Sequence, residues 1–157
     1  MGETMDVGAL LPGTWRIAAT NVPVWLDGSR LEPTFTFEVL ETDPLVLTDD
    51  VAFRTPDREE KHILGRNVWR GDAFHARRGG ILRLARGRWT VSGASADGTI
   101  AAIRVDASTV RAAGVDILVR SEVERPELRT LIARDTARYG LTLEEFASLS
   151  WTTPTAA

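Results

Sequence analysis

The sequence predicts an all-β fold, an eight-stranded antiparallel up-and-down barrel with a C-terminal α-helix packed on its outside. Three observations support this prediction. Short runs of alternating apolar and polar residues recur along residues 13–120, and turn residues separate them. After Pro126 the apolar residues recur at helical spacing instead. About eight short strands close most simply into a barrel, which removes the sheet edges that invite aggregation.

Length and composition fit a single globular domain. The chain has 157 residues, enough to bury about two thirds of its unfolded surface. We expect an N-terminal tail over residues 1–12, a barrel domain with its helix over 13–152, and a second tail over 153–157. The net charge of -3 gives no general attraction to nucleic acid, so none is expected as a partner. The absence of cysteine excludes disulfides, thiolate metal sites and cysteine nucleophiles.

The N-terminal residues predict a cytoplasmic location. Residues 1–6 include acidic residues and no basic one, and the apolar run that follows, residues 7–11, is too short for a secretion signal. No segment approaches the roughly 20 apolar residues that a membrane-spanning helix needs. We therefore expect neither export nor membrane insertion.

Eight strands are predicted, and their turns define their order. The second run is the most regular, because Phe35, Phe37 and Val39 share one face. Asp43-Pro44 interrupts the chain after it, and Asp97-Gly98 joins the sixth and seventh runs as a hairpin. The predicted strands cover residues 15–19, 34–40, 45–47 with 51–53, 61–67, 73–77, 88–92, 100–105 and 115–120.

The C-terminal region predicts two helices. Pro126 occupies a first helical position, and Gly140 ends the first helix. Thr142 and Glu145 form a capping box for a short second helix. The apolar residues at helical spacing are Leu128, Leu131 and Ile132 in the first helix, and Phe146 and Leu149 of the second would face the barrel wall.

Two motifs lie in the first and last strands of the predicted barrel. Gly13-Thr14-Trp15 opens the first strand, and Arg120 closes the last strand just before a helix. This pattern resembles the lipocalin family, and residues 118–152 are similar to the C-terminal third of bacterial lipocalins. The resemblance implies a barrel closed at one end, with Trp15 as the floor and Arg120 across its ring in a cation–π contact. Ala96-Asp97-Gly98 replaces the family's Thr-Asp-Tyr type tripeptide, which places the resemblance at superfamily level.

Large apolar residues spread over many strands are candidates for a cavity wall. Alternate residues of a barrel strand point inward, so as a set these side chains indicate a cavity for an apolar or aromatic ligand. Taken singly, ordinary core packing explains each of them better. Trp25 follows the first strand and is either a lid over the ligand or a staple that holds the loop to the rim. The candidate ligand-binding residues are Ile17, Trp25, Phe35, Phe37, Phe53, Trp69, Phe74 and Trp89.

Three polar residues are candidates for catalysis, namely Asp49, His62 and Glu38. If the strand continues unbroken through Asp49-Asp50, one of the two carboxylates points inward as a general base or hydrogen-bond anchor. The favoured interpretation is a bulge or turn that exposes both. By alternation with its apolar neighbours, Arg104 faces outward.

The two histidines and a run of arginines over residues 77–88 are interpreted as parts of the structure without a role in binding or catalysis. His62 and His75 match no metal-ligand spacing, so we expect no metal and no cofactor. If one of them faces the interior, His62 is preferred because it follows the acidic pair Glu59-Glu60. Arg77, Arg78, Arg83, Arg86 and Arg88 are interpreted as a solvated face, and Gly79-Gly80 lacks the spacing of a phosphate loop.

These features predict binding of a small hydrophobic molecule in the barrel, as a carrier or sequestering protein. The alternative is an enzyme built on the same barrel, a cyclase or isomerase of polyketide-like or terpenoid substrates, in which the wall holds a flexible substrate in a reactive shape. A third hypothesis is a haem-binding barrel, which would need His62 or His75 as the iron ligand.

Overall fold

The structure is a computed structural model that describes residues 5–78, 86–107 and 113–152. Its strands are β1 (Gly13–Thr20), β2 (Leu31–Thr42), β3 (Leu45–Arg54), β4 (Glu60–Trp69), β5 (Phe74–Arg78), β6 (Arg86–Ala94), β7 (Ile100–Val105), β8 (Gly114–Arg120) and the two-residue β9 (Ser150–Trp151). Strands β2 to β8 pair in chain order, and β1 pairs with both β8 and β2. The sheet therefore closes, and the predicted eight-stranded antiparallel barrel is confirmed.

The register of β1 places the first and last barrel strands side by side. Trp15 of β1 lies opposite Phe35 of β2 on one side and opposite Arg120 of β8 on the other. β9 adds two residues to β1 next to Ala19 and Thr20. The last described strand thus ties the C-terminal segment to the first strand.

Alternation along the strands creates two separate cores. The inner core fills the barrel and includes Trp15, Ile17, Phe37, Phe74 and Trp89. The outer core lies between the barrel wall and the C-terminal helices, and its buried members include Ala18, Ala19, Ile117, Ile132 and Leu149. The predicted position of a C-terminal helix on the outside of the barrel is confirmed.

A bulge in β1 changes the direction of its later residues. The pairing with β8 shifts between Ile17 and Ala19, so Ile17 faces the interior whereas Ala19 packs in the outer core. Simple alternation from Ile17 would place Ala19 inside the barrel, and the extra residue of the bulge moves it to the outside.

Strand β3 is continuous where the sequence suggested a break. It runs from Leu45 to Arg54, with Leu47 and Val51 in the inner core. Asp49 lies between them on the same face and is 5% exposed, whereas Asp50 faces outward. The interpretation that both carboxylates are exposed is thus wrong for Asp49. The Asn67 amide donates a hydrogen bond to the Asp49 carboxyl group. This bond offsets the desolvation cost of burying the carboxyl group, the cost that made an exposed turn the expected arrangement.

The segment before β1 closes one end of the barrel. Helix α1 (Val7–Leu10) begins at Asp6, whose carboxylate accepts a hydrogen bond from the Ala9 amide at 3.1 Å. Val7 and Leu11 are buried in the inner core. Residues 7–11 therefore form part of the closed end, although the sequence suggested a tail.

The C-terminal region contains two α-helices separated by a 3-10 turn. These elements are α2 (Leu128–Ala133), the 3-10 turn Thr136–Tyr139 and α3 (Leu143–Ser148). Gly140 ends the 3-10 turn at φ 65°, so the first predicted helix is shorter than expected. The break occurs because Asp135 caps a new turn through the Arg138 amide. The predicted capping box of Thr142 and Glu145 is present at α3.

The connections between strands distinguish the two ends of the barrel. In an antiparallel order, the connections β2–β3, β4–β5 and β6–β7 lie at the end that α1 covers. The connections β1–β2, β3–β4, β5–β6 and β7–β8 lie at the opposite end, which we call the mouth. Among the described residues, no helix has the length and apolar character required to cross a bilayer.

Candidate ligand-binding site

The closed end is organised around a tryptophan and an arginine. Trp15 is fully buried, and its indole N–H donates to the Leu11 carbonyl at 2.9 Å. The guanidinium carbon of Arg120 lies 3.9 Å from the centre of the Trp15 ring. Arg120 also donates to the carbonyls of Leu10 and Pro12, and burial lowers the pKa of its guanidinium. One side chain thus ties β8 to both the ring and the segment before β1.

A row of aromatic rings runs through the barrel from this end to the mouth. Trp69 meets Phe74 edge to face at 4.8 Å between ring centroids. Phe74 stacks on Trp89 at 4.5 Å, and Trp89 stacks on Phe37 at 5.6 Å. Phe35 continues the row 6.2 Å from Phe37. The three stacked rings fill this part of the interior, and Phe35 continues the row toward Trp25 at the mouth.

A buried polar group sits beside the stacked rings. The indole N–H of Trp89 donates to Oδ1 of Asn67 at 2.9 Å. The Asn67 amide in turn donates to Oδ1 of Asp49 at 3.0 Å and to the Leu47 carbonyl at 3.3 Å. All three side chains are at most 5% exposed. Asn67 therefore uses both its donors and its acceptor, and it fixes the positions of Trp89 and Asp49.

A second carboxyl group faces the interior from β8. Asp116 is 2% exposed, and the Thr20 hydroxyl donates to it at 2.6 Å. The same hydroxyl accepts from the Val22 amide at 2.9 Å, which links the group to the first connection at the mouth. Asp116 was not among the residues that the sequence singled out. Its signal was alternation, because it shares a strand face with Leu118 and the floor residue Arg120.

Small residues line the wall near Asp49. Gly65 lies opposite Asp49 in the β3–β4 pair, and Ala76 lies opposite Asn67 in the β4–β5 pair. Ile63 and Val91 pack on the inner core yet remain partly accessible. Solvent therefore reaches these two inward side chains, whereas the stacked rings Phe74 and Trp89 are buried.

The mouth is bordered by a cluster of three side chains. Trp25 lies in a 3-10 turn, Pro23–Trp25, and its ring meets Phe35 edge to face at 5.9 Å. The guanidinium carbon of Arg30 lies 6.0 Å from the Trp25 ring centre and 5.0 Å from that of Phe53. Trp25 is only half-buried. The first connection therefore folds back over the upper end of the aromatic row.

Comparison with known proteins identifies the architecture. No family model and no curated protein matches the sequence. Among solved structures, lobster apocrustacyanin A1 matches with a TM-score of 0.64 at 9% identity, over 94% of this chain and 79% of that one. The amine-binding protein of Rhodnius prolixus in complex with tryptamine matches with 0.62 at 8% identity, over 92% and 80%. Both are lipocalins. This chain has a lipocalin-like fold.

A designed barrel also shares this lipocalin-like architecture. A de novo fluorescence-activating β-barrel matches with a TM-score of 0.51 at 17% identity, over 75% of this chain and all of the designed one. The resemblance drawn from Gly13-Thr14-Trp15 and Arg120 is confirmed at the level of fold. At identities this low, the comparisons establish the fold alone.

Within the lipocalin-like barrel, the candidate ligand-binding residues occupy different levels. The buried inner core contains Ile17, Phe35, Phe37, Phe74 and Trp89. Trp69 and Trp25 pack against that core near the closed end and the mouth, and Phe53 is buried next to Arg30. Contact of these residues with a ligand stays a prediction.

The three catalytic candidates are not brought together. Asp49 faces the interior, but Glu38 is exposed and His62 lies on the outer face. The Nδ1–H of His62 donates to Oδ1 of Asp50 at 2.8 Å, and this hydrogen bond raises the pKa of the imidazole. The preference for His62 as an inward residue is therefore wrong, since its strand neighbour Ile63 takes the interior position.

The remaining polar candidates also lie outside the barrel. His75 alternates with the inward residues Phe74 and Ala76, so neither histidine of the sequence can reach an iron in the interior. Arg88 forms ion pairs with Asp72 at 2.9 Å and Asp106 at 3.0 Å. Arg77 is exposed, whereas Arg83, Gly79-Gly80 and the side chains of Arg78 and Arg86 lie outside the described residues. Over the described ranges, no cluster of metal-ligating side chains occurs.

Proposed function

We propose that this protein binds a small, largely apolar molecule in the upper part of its barrel. The observation that carries the proposal is the row of aromatic rings that reaches from the stacked trio Phe37, Trp89 and Phe74 to Trp25 at the mouth. Aromatic walls with a few fixed polar groups are typical of small-molecule sites. The Rhodnius prolixus lipocalin bound to tryptamine and the fluorescence-activating designed barrel support binding of a ring-sized ligand by this architecture.

The arrangement of the interior restricts the size of the ligand. Phe37, Trp89 and Phe74 already stack at 5.6 and 4.5 Å between centroids, so they fill the lower level themselves. A ligand therefore rests above this stack, against the contacting pair Phe35 and Trp25 rather than between them. We infer a ligand of one to three rings. We also propose a cytoplasmic location for the protein.

Replacement of the mouth tryptophan tests this function. The probe is N-phenyl-1-naphthylamine, a neutral dye whose emission rises on transfer to an apolar site. We expect the protein to bind the dye and Trp25→Ala to weaken binding, because the dye loses ring contact next to Phe35. We expect only a small change in melting temperature, since Trp25 is half-buried.

A matched variant separates ligand contact from general destabilisation. Trp151 packs edge to face on Phe146 outside the barrel at 5.9 Å and is also only partly buried. Trp151→Ala should leave dye binding unchanged. A wild-type protein that does not bind the dye would contradict the proposed function. If Trp25→Ala lowers the melting temperature substantially as well as the affinity for the dye, Trp25 is a staple for the loop.

A second candidate function is supported by the interior carboxyl groups. Asp49 and Asp116 are hydrogen-bonded inside an otherwise apolar barrel. Such a group could remove or donate a proton at a bound substrate, as a cyclase or isomerase requires. In this role Asn67 would be a positioning residue for Asp49. The test is turnover of polyketide-like or terpenoid substrates by wild type and by Asp49→Asn, with dye binding as the control. Turnover that is unchanged in Asp49→Asn would exclude Asp49 as the catalytic group.

A further inference from the structure

Arg30 is an unusual charged residue because of where its guanidinium lies. It contacts the Trp25 ring at 6.0 Å and the Phe53 ring at 5.0 Å, and it is half-buried at the mouth. It directly precedes β2 at the mouth and contacts Trp25, whose ring packs on Phe35. The charge therefore stands where a ligand in the proposed site would leave the barrel.

The guanidinium of Arg30 keeps its hydrogen-bonding capacity. In the part of the chain that the structure describes, no hydrogen bond or ion pair engages it, although Arg54, Arg88, Arg104, Arg125 and Arg138 each have a carboxylate partner. Asp27 is close enough for the charge of Arg30 to help lower its pKa, but hydrogen bonds from Ser29 contribute more. Ser29 donates to the Asp27 carboxylate through both its amide and its hydroxyl, at 2.8 and 2.6 Å.

We propose that Arg30 is an anion-binding subsite at the mouth, and that the ligand is a small aromatic or alicyclic acid. The acid's ring lies in the barrel against Phe35 and Trp25, and its carboxylate accepts hydrogen bonds from the Arg30 guanidinium. The planar fork of a guanidinium matches a carboxylate, and the flanking rings hold it in a restricted orientation. This inference rests on the proposed function and specifies the class of ligand.

The interior supports this orientation of the ligand. The polar side chains below the mouth present carboxyl oxygens, from Asp49 and Asp116, which are acceptors already in hydrogen bonds. An anionic group gains nothing from further acceptor oxygens there. The apolar end of an acid is therefore the end that enters, while its charged end stays at Arg30.

Three indoles of similar size and different charge test the inference. Indole-3-acetate carries a carboxylate, tryptophol a hydroxyl and tryptamine an ammonium group. Each is titrated against N-phenyl-1-naphthylamine bound to the full chain, and displacement gives its affinity. We expect indole-3-acetate to bind most tightly. Arg30→Gln should weaken it about tenfold, the effect of losing a charge-assisted hydrogen bond, and leave tryptophol and the dye within about twofold.

A matched control separates a specific contact from the change in net charge. Arg54 lies opposite Leu31 at the same end of the barrel, is 64% exposed, and pairs with Glu32 at 3.8 Å. Arg54→Gln removes the same charge and should change the affinity for indole-3-acetate less than twofold. Arg30→Lys should restore part of the lost affinity, because it keeps the charge without the fork.

The outcomes distinguish this inference from the proposed function. If the dye does not bind to the wild type, the proposed function fails and this inference fails with it. If the dye binds and the inference is wrong, tryptamine or tryptophol competes better than indole-3-acetate, or no indole displaces the dye. Equal losses of indole-3-acetate affinity in Arg30→Gln and Arg54→Gln would also overturn it, since the effect would then be one of net charge.

Discussion

A single amide side chain organises the polar part of the interior. Asn67 is fully buried, and it joins the Trp89 indole to the Asp49 carboxyl group at 2.9 and 3.0 Å. A buried donor or acceptor without a partner destabilises a fold more than a made hydrogen bond stabilises it. Asn67 therefore makes it possible for the barrel to contain a carboxyl group and an indole N–H at this depth.

Truncation of Asn67 tests this role. Asn67→Ala leaves the buried Trp89 N–H without the Asn67 acceptor, takes one hydrogen-bond donor from Asp49 and removes a fully buried side chain; a single orphaned buried group costs about 1–3 kcal/mol. We expect a loss of about 2–5 kcal/mol in the free energy of unfolding, measured by urea denaturation. Thr48→Ala on the neighbouring strand β3, whose side chain alternates with Leu47 and Asp49, is the control and should change stability by less than about 0.5 kcal/mol. A loss below 1 kcal/mol in Asn67→Ala would contradict the role.

Helix α3 is held to the barrel by an ion pair that belongs to its cap. Glu145 accepts hydrogen bonds from the Arg104 guanidinium of β7 and from the Thr142 amide. The Thr142 hydroxyl in return accepts from the Glu145 amide at 3.0 Å. Arg104 also donates to the Gly140 carbonyl at 2.7 Å. One outward arginine thus contacts both the helix start and the chain that leads into it.

The pH dependence of stability tests this attachment. The hydrogen bond from Arg104 is the main cause that lowers the pKa of Glu145 to about 2. A lowered carboxyl pKa stabilises the fold above its usual value near 4.5, and this contribution is lost as the pH falls toward 2. Glu145→Gln should therefore reduce the fall in melting temperature between pH 4.5 and pH 2. Glu144→Gln, the neighbouring residue in α3, should keep the wild-type fall; identical curves for both variants would refute the attachment.

At the scale of the whole molecule, closure depends on the contact between the first and last barrel strands. Trp15 is fully buried, donates to Leu11 and lies under the Arg120 guanidinium. Arg120 in turn donates to backbone carbonyls on both sides of this contact, at Pro12 and Gly98. The indole and the guanidinium together therefore connect the core, the segment before β1 and the β6–β7 connection.

Removal of this ring should destabilise the entire barrel. Trp15→Ala deletes a fully buried aromatic side chain, for which the expected cost is about 3–5 kcal/mol. Chemical denaturation followed by far-ultraviolet circular dichroism measures the change. Trp151→Ala, which removes a partly buried ring outside the barrel, should cost less. A loss under 1 kcal/mol in Trp15→Ala would mean that the ring does not serve as the floor.

The fold was largely predictable from the sequence, and the site only in part. Alternation and turns identify the strands, and Trp15 with Arg120 indicates the closed end. Asp116 also follows from alternation once the inward face of β8 is known. The burial of Asp49, which the sequence offered only as the less favoured interpretation, and the ring contacts of Arg30 do not follow, because they depend on partners from distant parts of the chain. Local patterns report which face a residue occupies, but not which side chain it meets there.

The pairing of residue 15 with residue 120 has a consequence for the order of events during synthesis. Strand β1 is synthesised first, and its partner β2 follows it soon. Its other partner, β8, is synthesised much later. The backbone on that side of β1 stays unpaired until residues 116–120 have been synthesised. Contacts this distant along the chain slow folding, so nascent chains halted before codon 114 should be substrates for chaperones that cover unpaired strands.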